Sequence, residues 1–321
     1  MNFQGLGKVE TADWYIDVAF RAATKKAGIM RAAASGTRLD KSKSIELAKL
    51  TELHAVLRKH LMQILLSFPS IDGLPEFYQQ LVRTMLEYDK LKKSLGAVNW
   101  AVDKIDMLHR DYMRDLTRTR DLTRVNALRK EYYGRVSSVV KTIKEQLAYL
   151  ENSRKVMKEF PSIKQNMFTV CIAGFPNIGK TTLLSKLTGS KPEIAAYAFT
   201  TKKLNVGYLK SDHEKVQVID TPGTLNRFDK MNAIEQQAHL AMKYCADLIV
   251  YIFDLSEPFP LMDQKKLFSQ LKHLHKPIIV YVSKTDLLDK KLVASFVTNF
   301  KENIFTSSDK LAAEIVKLSR N

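Results

Sequence analysis

Residues 174–181 read Gly-Phe-Pro-Asn-Ile-Gly-Lys-Thr, a match to the GxxxxGK[ST] pattern that wraps phosphate groups. Gly174 and Gly179 let the backbone turn tightly enough for its N–H groups to point at phosphate oxygens. Phe175, Pro176, Asn177 and Ile178 complete the loop, and Thr182 follows it. Lys180 offers a point charge for the β- and γ-phosphates, and Thr181 a hydroxyl for Mg²⁺. The loop follows the β-type run 168–173 and opens a helix. That context separates such a match from a chance glycine turn, and the helix N-terminus adds partial positive charge.

Four later segments complete the nucleotide site and decide which nucleotide fits. Asp220-Thr-Pro-Gly223 follows an apolar run, so Asp220 ends a strand beside the loop. There a carboxylate can hold Mg²⁺ through water, and the Gly223 N–H can reach a γ-phosphate. Ser283-Lys284-Thr285-Asp286 follows the strand candidate 278–282. The Asp286 carboxylate can accept from both N1–H and the exocyclic amine of guanine, whereas adenine presents an acceptor at N1. Lys284 is expected to lay its stem across the base. Between the loop and Asp220 lies Tyr197-Ala-Phe-Thr200-Thr201-Lys202, where Thr201 is expected to ligate Mg²⁺ when a γ-phosphate is present. Ser307 and Ser308 follow the last strand candidate and can offer a backbone N–H to guanine O6. The expected metal ligands are thus Thr181, Thr201 and Asp220, and Lys180, Thr201 and Gly223 are expected to carry phosphoryl chemistry.

These residues need a sheet to hold them. Strand candidates fall at 168–173, 204–209, 216–219, 248–254, 278–282 and 304–306, and helix candidates at 180–187, 233–244, 262–273, 290–300 and 308–318. Alternation of this kind predicts an α/β P-loop domain, a mostly parallel sheet covered by helices, over residues 161–321. Residues 1–160 read as an all-α helical bundle. Leu47, Leu50, Leu53, Leu57, Leu61 and Ile64 recur at three- and four-residue steps, keeping one helical face apolar. A Pro/Gly break at 68–75 interrupts the bundle.

The chain carries 51 Lys and Arg against 34 Asp and Glu, a net charge of +17, which points to a polyanionic partner. Residues 1–165 hold 30 of the basic and 19 of the acidic residues, so the helical half carries most of the excess. Arg110, Arg114 and Arg118 recur every four residues, and Arg124 follows. Their side chains suit RNA phosphates, in a contact made by shape and backbone. Asp111, Asp115 and Asp121 each precede an arginine by three residues, and intrahelical pairing is the competing expectation. Cys171 and Cys245 form no CxxC, and His273 and His275 point to different helix faces. No apolar run approaches the roughly 20 residues needed to cross a bilayer. The opening MNFQGLGKVETADWY lacks signal-peptide character, so a cytoplasmic protein without integral membrane association is expected.

With these segments in order, the chain resembles the nucleolar GTP-binding protein 1 (Nog) family, within the Obg-like translation-factor-class GTPases. The strings that carry the resemblance in the second half are GFPNIGKTTLL, AYAFTTK, DTPGTLNR, IEQQAHLAM and IFDLSE. In the first half they are NFQGLGKVETADWYIDVAFRAA, SFPSIDGLPEFY and LKKSLGAVNWAVDKI. In length the chain is similar to the compact archaeal members. The resemblance implies GTP and GDP as ligands, hydrolysis of GTP to GDP, and a role in assembly of the large ribosomal subunit through its rRNA. Two departures stand out. Ser283 replaces the usual Asn of the guanine motif, which weakens the tie between base and loop. Thr224 and Leu225 follow Gly223 where many regulatory GTPases carry a water-orienting Gln, so intrinsic hydrolysis should be slow and stimulated by the particle. Asn177 matches an asparagine that helps bind K⁺ in potassium-activated relatives; loop-internal hydrogen bonding is the other reading of it. A non-hydrolysing, GTP-dependent placeholder and a membrane-surface GTPase are the alternative functions.

Overall fold

The computed structural model describes residues 3–189, 193–195, 204–210, 215–221, 233–256, 259–298, 300 and 302–320. The first 158 residues form six helices: α1 (Ala12–Ala33), α2 (Arg38–Ser67), α3 (Glu76–Met85), α4 (Tyr88–Arg118), α5 (Leu122–Thr142) and α6 (Lys144–Lys158). Local chemistry sets their starts. The Thr11 side chain accepts from the Trp14 N–H, and Thr37 and Asp40 form a reciprocal capping box at α2. Asp121 caps α5 by accepting from the N–H groups of Thr123 and Arg124. The expected Pro/Gly break holds only a short 3₁₀ turn, Ile71–Gly73.

The chain divides into two compact units. One contains Gln4–Ser70 and Leu86–Lys158, hence α1, α2, α4, α5 and α6. Its core is the predicted apolar face of α2, with Leu50, Leu53, Leu57, Leu61 and Ile64 buried, set against Leu91, Val98, Ile105 and Leu116 of α4. Glu46 is buried beside Lys49 (2.9 Å) and Arg129 (3.3 Å), which offset its desolvation.

The other unit contains Glu159–Asn321 together with Met1–Phe3 and Ile71–Met85. Residues 71–85 fall inside the range expected for the helical domain, yet they group with the later unit. The reason is packing: α3 buries Phe77, Tyr78, Leu81 and Val82 and lies against α8 (Ala233–Tyr244). The Tyr78 hydroxyl donates to Pro161 O (2.9 Å) and accepts from the Ile163 N–H (3.0 Å). Gln237 of α8 donates to Met85 Sδ (3.1 Å).

This unit is built on a seven-stranded sheet, ordered β2-β3-β4-β1-β5-β6-β7. The strands are β1 (Thr169–Ala173), β2 (Glu193–Ala195), β3 (Leu204–Lys210), β4 (Lys215–Asp220), β5 (Leu248–Asp254), β6 (Ile278–Ser283) and β7 (Ile304–Phe305). β1 pairs in parallel with β4 and β5, and β5–β6 and β6–β7 are also parallel. β2–β3 and β3–β4 are antiparallel. The helices are α7 (Lys180–Thr188), α8, α9 (Leu261–Lys272), α10 (Lys290–Thr298) and α11 (Ser308–Leu318). β1 and β5 are buried at every position, as expected for strands covered on both faces. The α/β P-loop architecture with a preceding helical domain, anticipated from the alternation of elements, is the architecture present.

Candidate functional site

Parallel pairing brings the carboxyl ends of β1, β4, β5 and β6 to one edge, where open α/β sheets bind ligands. Ile172 of β1 lies opposite Asp220 of β4, and Asp254 of β5 opposite Ser283 of β6. The loop 174–179 therefore leaves β1 beside the ends of β4 and β5. Its backbone takes three positive φ values: 147° at Gly174, 61° at Asn177 and 95° at Gly179. At Gly174 a side chain would also have no room. A Cβ would stand 2.3 Å from Ile178 Cδ1 and 3.0 Å from Ile252 O. Phe175 and Ile178 are buried and anchor the loop, with the Phe175 ring 4.8 Å from Phe259. Asn177 is exposed at its tip, and Pro176 is half-buried. Gly179 caps α7, so the first N–H groups of α7 open toward the loop.

Lys180 is buried, and its ammonium donates to Phe175 O (2.5 Å) across the loop. Thr181 Oγ1 donates to Asp220 Oδ2 (2.6 Å). Asp220 is buried at the end of β4, and its Oδ1 has no hydrogen-bond partner. Burial pushes the Asp220 carboxyl above its ordinary range; bonds from Thr181 and Asn205 and the nearby Lys180 charge oppose this without cancelling it. Asn205 Nδ2 donates to the same oxygen from β3 (3.1 Å). A hydroxyl and a carboxylate in contact, with one buried carboxylate oxygen unsatisfied, fit a hard divalent cation such as Mg²⁺. Thr182 is exposed in the first turn of α7. Thr201 and Gly223 lie outside the described residues, as do Thr200, Thr224 and Leu225.

The second cluster sits at the ends of β5 and β6. Ser283 is buried, and its hydroxyl donates to Phe253 O (3.2 Å). A Cβ placed on Gly179 would lie 3.9 Å from Ser283 Cβ, so this residue abuts the loop. Lys284 adopts φ 51° and sets its ammonium 2.6 Å from Asp254 Oδ2. Burial works against the Asp254 charge, yet the Lys284 ammonium and the Ser256 donors hold its carboxyl below the ordinary range. Asp286 is exposed in a 3₁₀ turn, Thr285–Leu287. Ser307 and Ser308, both half-buried, start α11 at the same edge.

Two participants carry no assigned role in the sequence reading. Asp254 is visible there as a lone carboxylate ending the apolar run LIVYIFD. Asn205 has no local signal; only the antiparallel register opposite Asp220 reveals it.

The arginines lie in the helical unit. Arg110, Arg114 and Arg118 are exposed on α4, and Arg124 is exposed in the first turn of α5. Of the three expected intrahelical pairs, Asp111–Arg114 forms (3.3 Å). Asp115 pairs instead with Arg114 (3.5 Å), and Asp121 is committed to the α5 cap. Among the described residues no cluster of three or more His, Cys, Asp or Glu is placed to hold a metal ion. None of the described helices is long and apolar enough to cross a membrane.

Comparison with known proteins assigns both halves. Residues 3–164 match the NOG1 N-terminal helical domain, and residues 169–284 match the 50S ribosome-binding GTPase family. The chain is 39% identical over 257 residues to uncharacterized protein MJ1408 of Methanocaldococcus jannaschii, covering 79% of this chain and 72% of that one. It is 35% identical over 269 residues to nucleolar GTP-binding protein 1 of Saccharomyces cerevisiae, covering 79% of this chain and 41% of the relative. For the Drosophila melanogaster protein of that name the values are 32% over 292 residues, 89% and 44%. The chain thus spans less than half the length of these two nucleolar GTP-binding proteins.

Proposed function

Because the chain belongs to the NOG1 family of GTPases, we propose that it is a guanine-nucleotide switch that binds GTP and GDP, hydrolyses GTP with Mg²⁺, and acts in assembly of the large ribosomal subunit by contacting its rRNA. The observation that carries this reading is the contact between Thr181 and the buried, half-satisfied carboxylate of Asp220. Thr181 and Asp220 would hold the metal, with Thr201 joining in the triphosphate state. The bound ion offsets charge on the phosphate oxygens.

The remaining chemistry is positioning and electrostatics. The loop N–H groups and the α7 N-terminus face the phosphates. The Lys180 ammonium, which sits on Phe175 O, gains a stronger acceptor when a phosphate oxygen replaces that carbonyl. Gly223 supplies a further N–H. Asp286 reads the guanine edge, Lys284 packs on the base, and Ser307 and Ser308 face O6. Slow intrinsic turnover, stimulated by the ribosomal particle, goes with Thr224 and Leu225 in place of a Gln. K⁺ is the proposed second cation, placed by Asn177. Arg110, Arg114, Arg118 and Arg124 of the helical unit form the proposed rRNA contact, and a cytoplasmic location goes with that partner.

Calorimetry and sedimentation test the reading. GTP should bind with heat that ATP does not give. The chain should co-sediment with large ribosomal subunits in a nucleotide-dependent way, and binding should weaken steeply as salt rises. Absence of heat with GTP, or equal binding of ATP, refutes the assignment. Equal turnover in K⁺ and Na⁺ removes the potassium site alone.

A further inference from the structure

The outward ridge of α4 holds a feature that the arginine stripe does not explain. Opposite its buried face, Gly96, Trp100, Asp103, Met107, Arg110, Arg114 and Arg118 follow one another at steps of three and four residues. These steps place them on one side of the helix. Trp100 is 46% exposed and Met107 36%, in a unit whose other large apolar side chains are mostly buried. Helical side chains lean toward the N-terminus over the residues three and four positions before them, so the Trp100 ring leans toward the turn that carries Gly96. That glycine lies inside the helix, where it costs about 1 kcal/mol relative to Ala. Packing gives no reason for it, since a Cβ there would meet nothing within 4 Å. The result is an open floor beside an exposed indole. Lys93 is exposed one turn before Gly96; on the other side comes the Asp103 carboxylate, which accepts from Asn99 Nδ2 (3.2 Å), and farther along Arg110 and Arg118 are exposed. No ion pair engages Arg110 or Arg118 among the described residues.

We propose that Trp100, beside the open surface at Gly96, is a stacking platform for one unpaired RNA base, with Lys93 holding an adjoining phosphate and Arg110 and Arg118 holding phosphates farther along the same backbone. The inference rests on the RNA reading given above and specifies it: the preferred RNA is a helix interrupted by a single flipped or bulged nucleotide. A base brings a flat π-face and needs no depth, whereas an apolar protein anchor needs a pocket that encloses it. Trp100 and Arg118 are 18 residues apart, about 27 Å along the helix. The ridge therefore follows a backbone as well as one base.

The test compares two RNA hairpins, one fully paired and one with a single bulged adenosine, titrated into the full chain at fixed salt and read by anisotropy. A Trp14→Phe background leaves Trp100 as the sole tryptophan, since the chain has two, and its fluorescence should be quenched only by the bulged hairpin. The bulged hairpin should bind between about fivefold and about a hundredfold tighter. Trp100→Ala and Gly96→Leu should erase that preference and leave affinity for the paired hairpin unchanged, while Trp100→Phe keeps most of it. Gly96→Leu should be at least as heat-stable as the parent, because leucine is the better helix former, so its loss of preference is not unfolding. Equal binding of both hairpins, or a preference that survives Trp100→Ala, overturns the platform and leaves the RNA reading standing. Failure of either hairpin to bind at low salt overturns both. Quenching by an acidic peptide that RNA does not displace assigns the ridge to a protein and also overturns the proposal.

Discussion

Replacing Asp220 by Asn should make the ligand-free protein more stable and its nucleotide site worse. Asp220 is 5% exposed. Oδ2 accepts from Thr181 and Asn205, while Oδ1 has no partner. An unsatisfied buried acceptor costs about 1–3 kcal/mol, and more when charged. An asparagine keeps an oxygen for Thr181 and Asn205 and removes the charge, at the expense of one poorly satisfied amide. The net gain should be about 1–2 kcal/mol, a rise in Tm of roughly 2–8 °C for a unit of this size. The sign with pH is also fixed. Burial raises the Asp220 pKa above its usual value of 3.8, so the folded state holds the proton more tightly than the unfolded chain. The parent therefore loses stability as pH rises from about 3.8 through that higher value, and the Asp220→Asn variant lacks this decline. Denaturant unfolding of the nucleotide-free protein between pH 4 and pH 8 measures the slope. In the same variant, Mg²⁺-dependent affinity for GTP should fall at least about tenfold, because the buried negative oxygen that a cation would pair with is gone. An Asp220→Asn protein that is less stable than the parent and still binds GTP with the same dependence on Mg²⁺ would refute the argument on both counts.

Other substitutions probe the frame around it. Gly174→Ala forces a Cβ against Ile178 and the Ile252 carbonyl at φ 147°; it should cost about 2 kcal/mol or more in thermal unfolding and abolish GTP heat in calorimetry. Lys284→Met leaves the buried Asp254 carboxylate without its cation and should cost about 2–4 kcal/mol at pH 7 by urea titration. Because Asp254 is held below its ordinary pKa, its stabilisation is present above pH 3.8 and lost on acidification, and this acid-side loss should shrink in the variant. Ser283→Asn restores an amide next to Gly179 and should tighten GDP binding severalfold, measured as a slower release of a fluorescent GDP analogue.

Much of the site is legible in the sequence because its parts are local. The loop needs glycine at positive φ, a lysine and a hydroxyl within eight residues, and it stands between a short, mostly apolar strand-like run and a helix. β5, α8 and α11 fall where hydrophobic patterning places them. Ends are less exact: β1 starts at Thr169 rather than 168, and α10 stops at Thr298 rather than 300. β2, three residues at a sheet edge, escapes detection because so short a strand has no period. The Asp254–Lys284 pair is hidden since it joins the ends of two strands, and nothing local to either says that they are neighbours. The arginine pairing departs from its spacing for a similar reason. Spacing alone allows Asp121 to meet Arg124's side chain, but the start of α5 claims that carboxylate for backbone N–H groups. Residues 71–85 show the limit most plainly: the sequence places them within the 1–160 helical bundle, and nothing local says which core receives the apolar face of α3.

That displaced helical segment has a bearing on how the polypeptide is made. Tyr78 grips Pro161 and Ile163, and Met85 meets Gln237, so an early piece must wait for chain that emerges from the ribosome 83 to 152 residues afterwards. During synthesis the aromatic face of Phe77 and Tyr78 is left without its destination until α8 is translated. A fragment begun at residue 161 would never meet it, and should be less soluble and melt earlier than the same stretch supplied with residues 71–85 as a separate peptide.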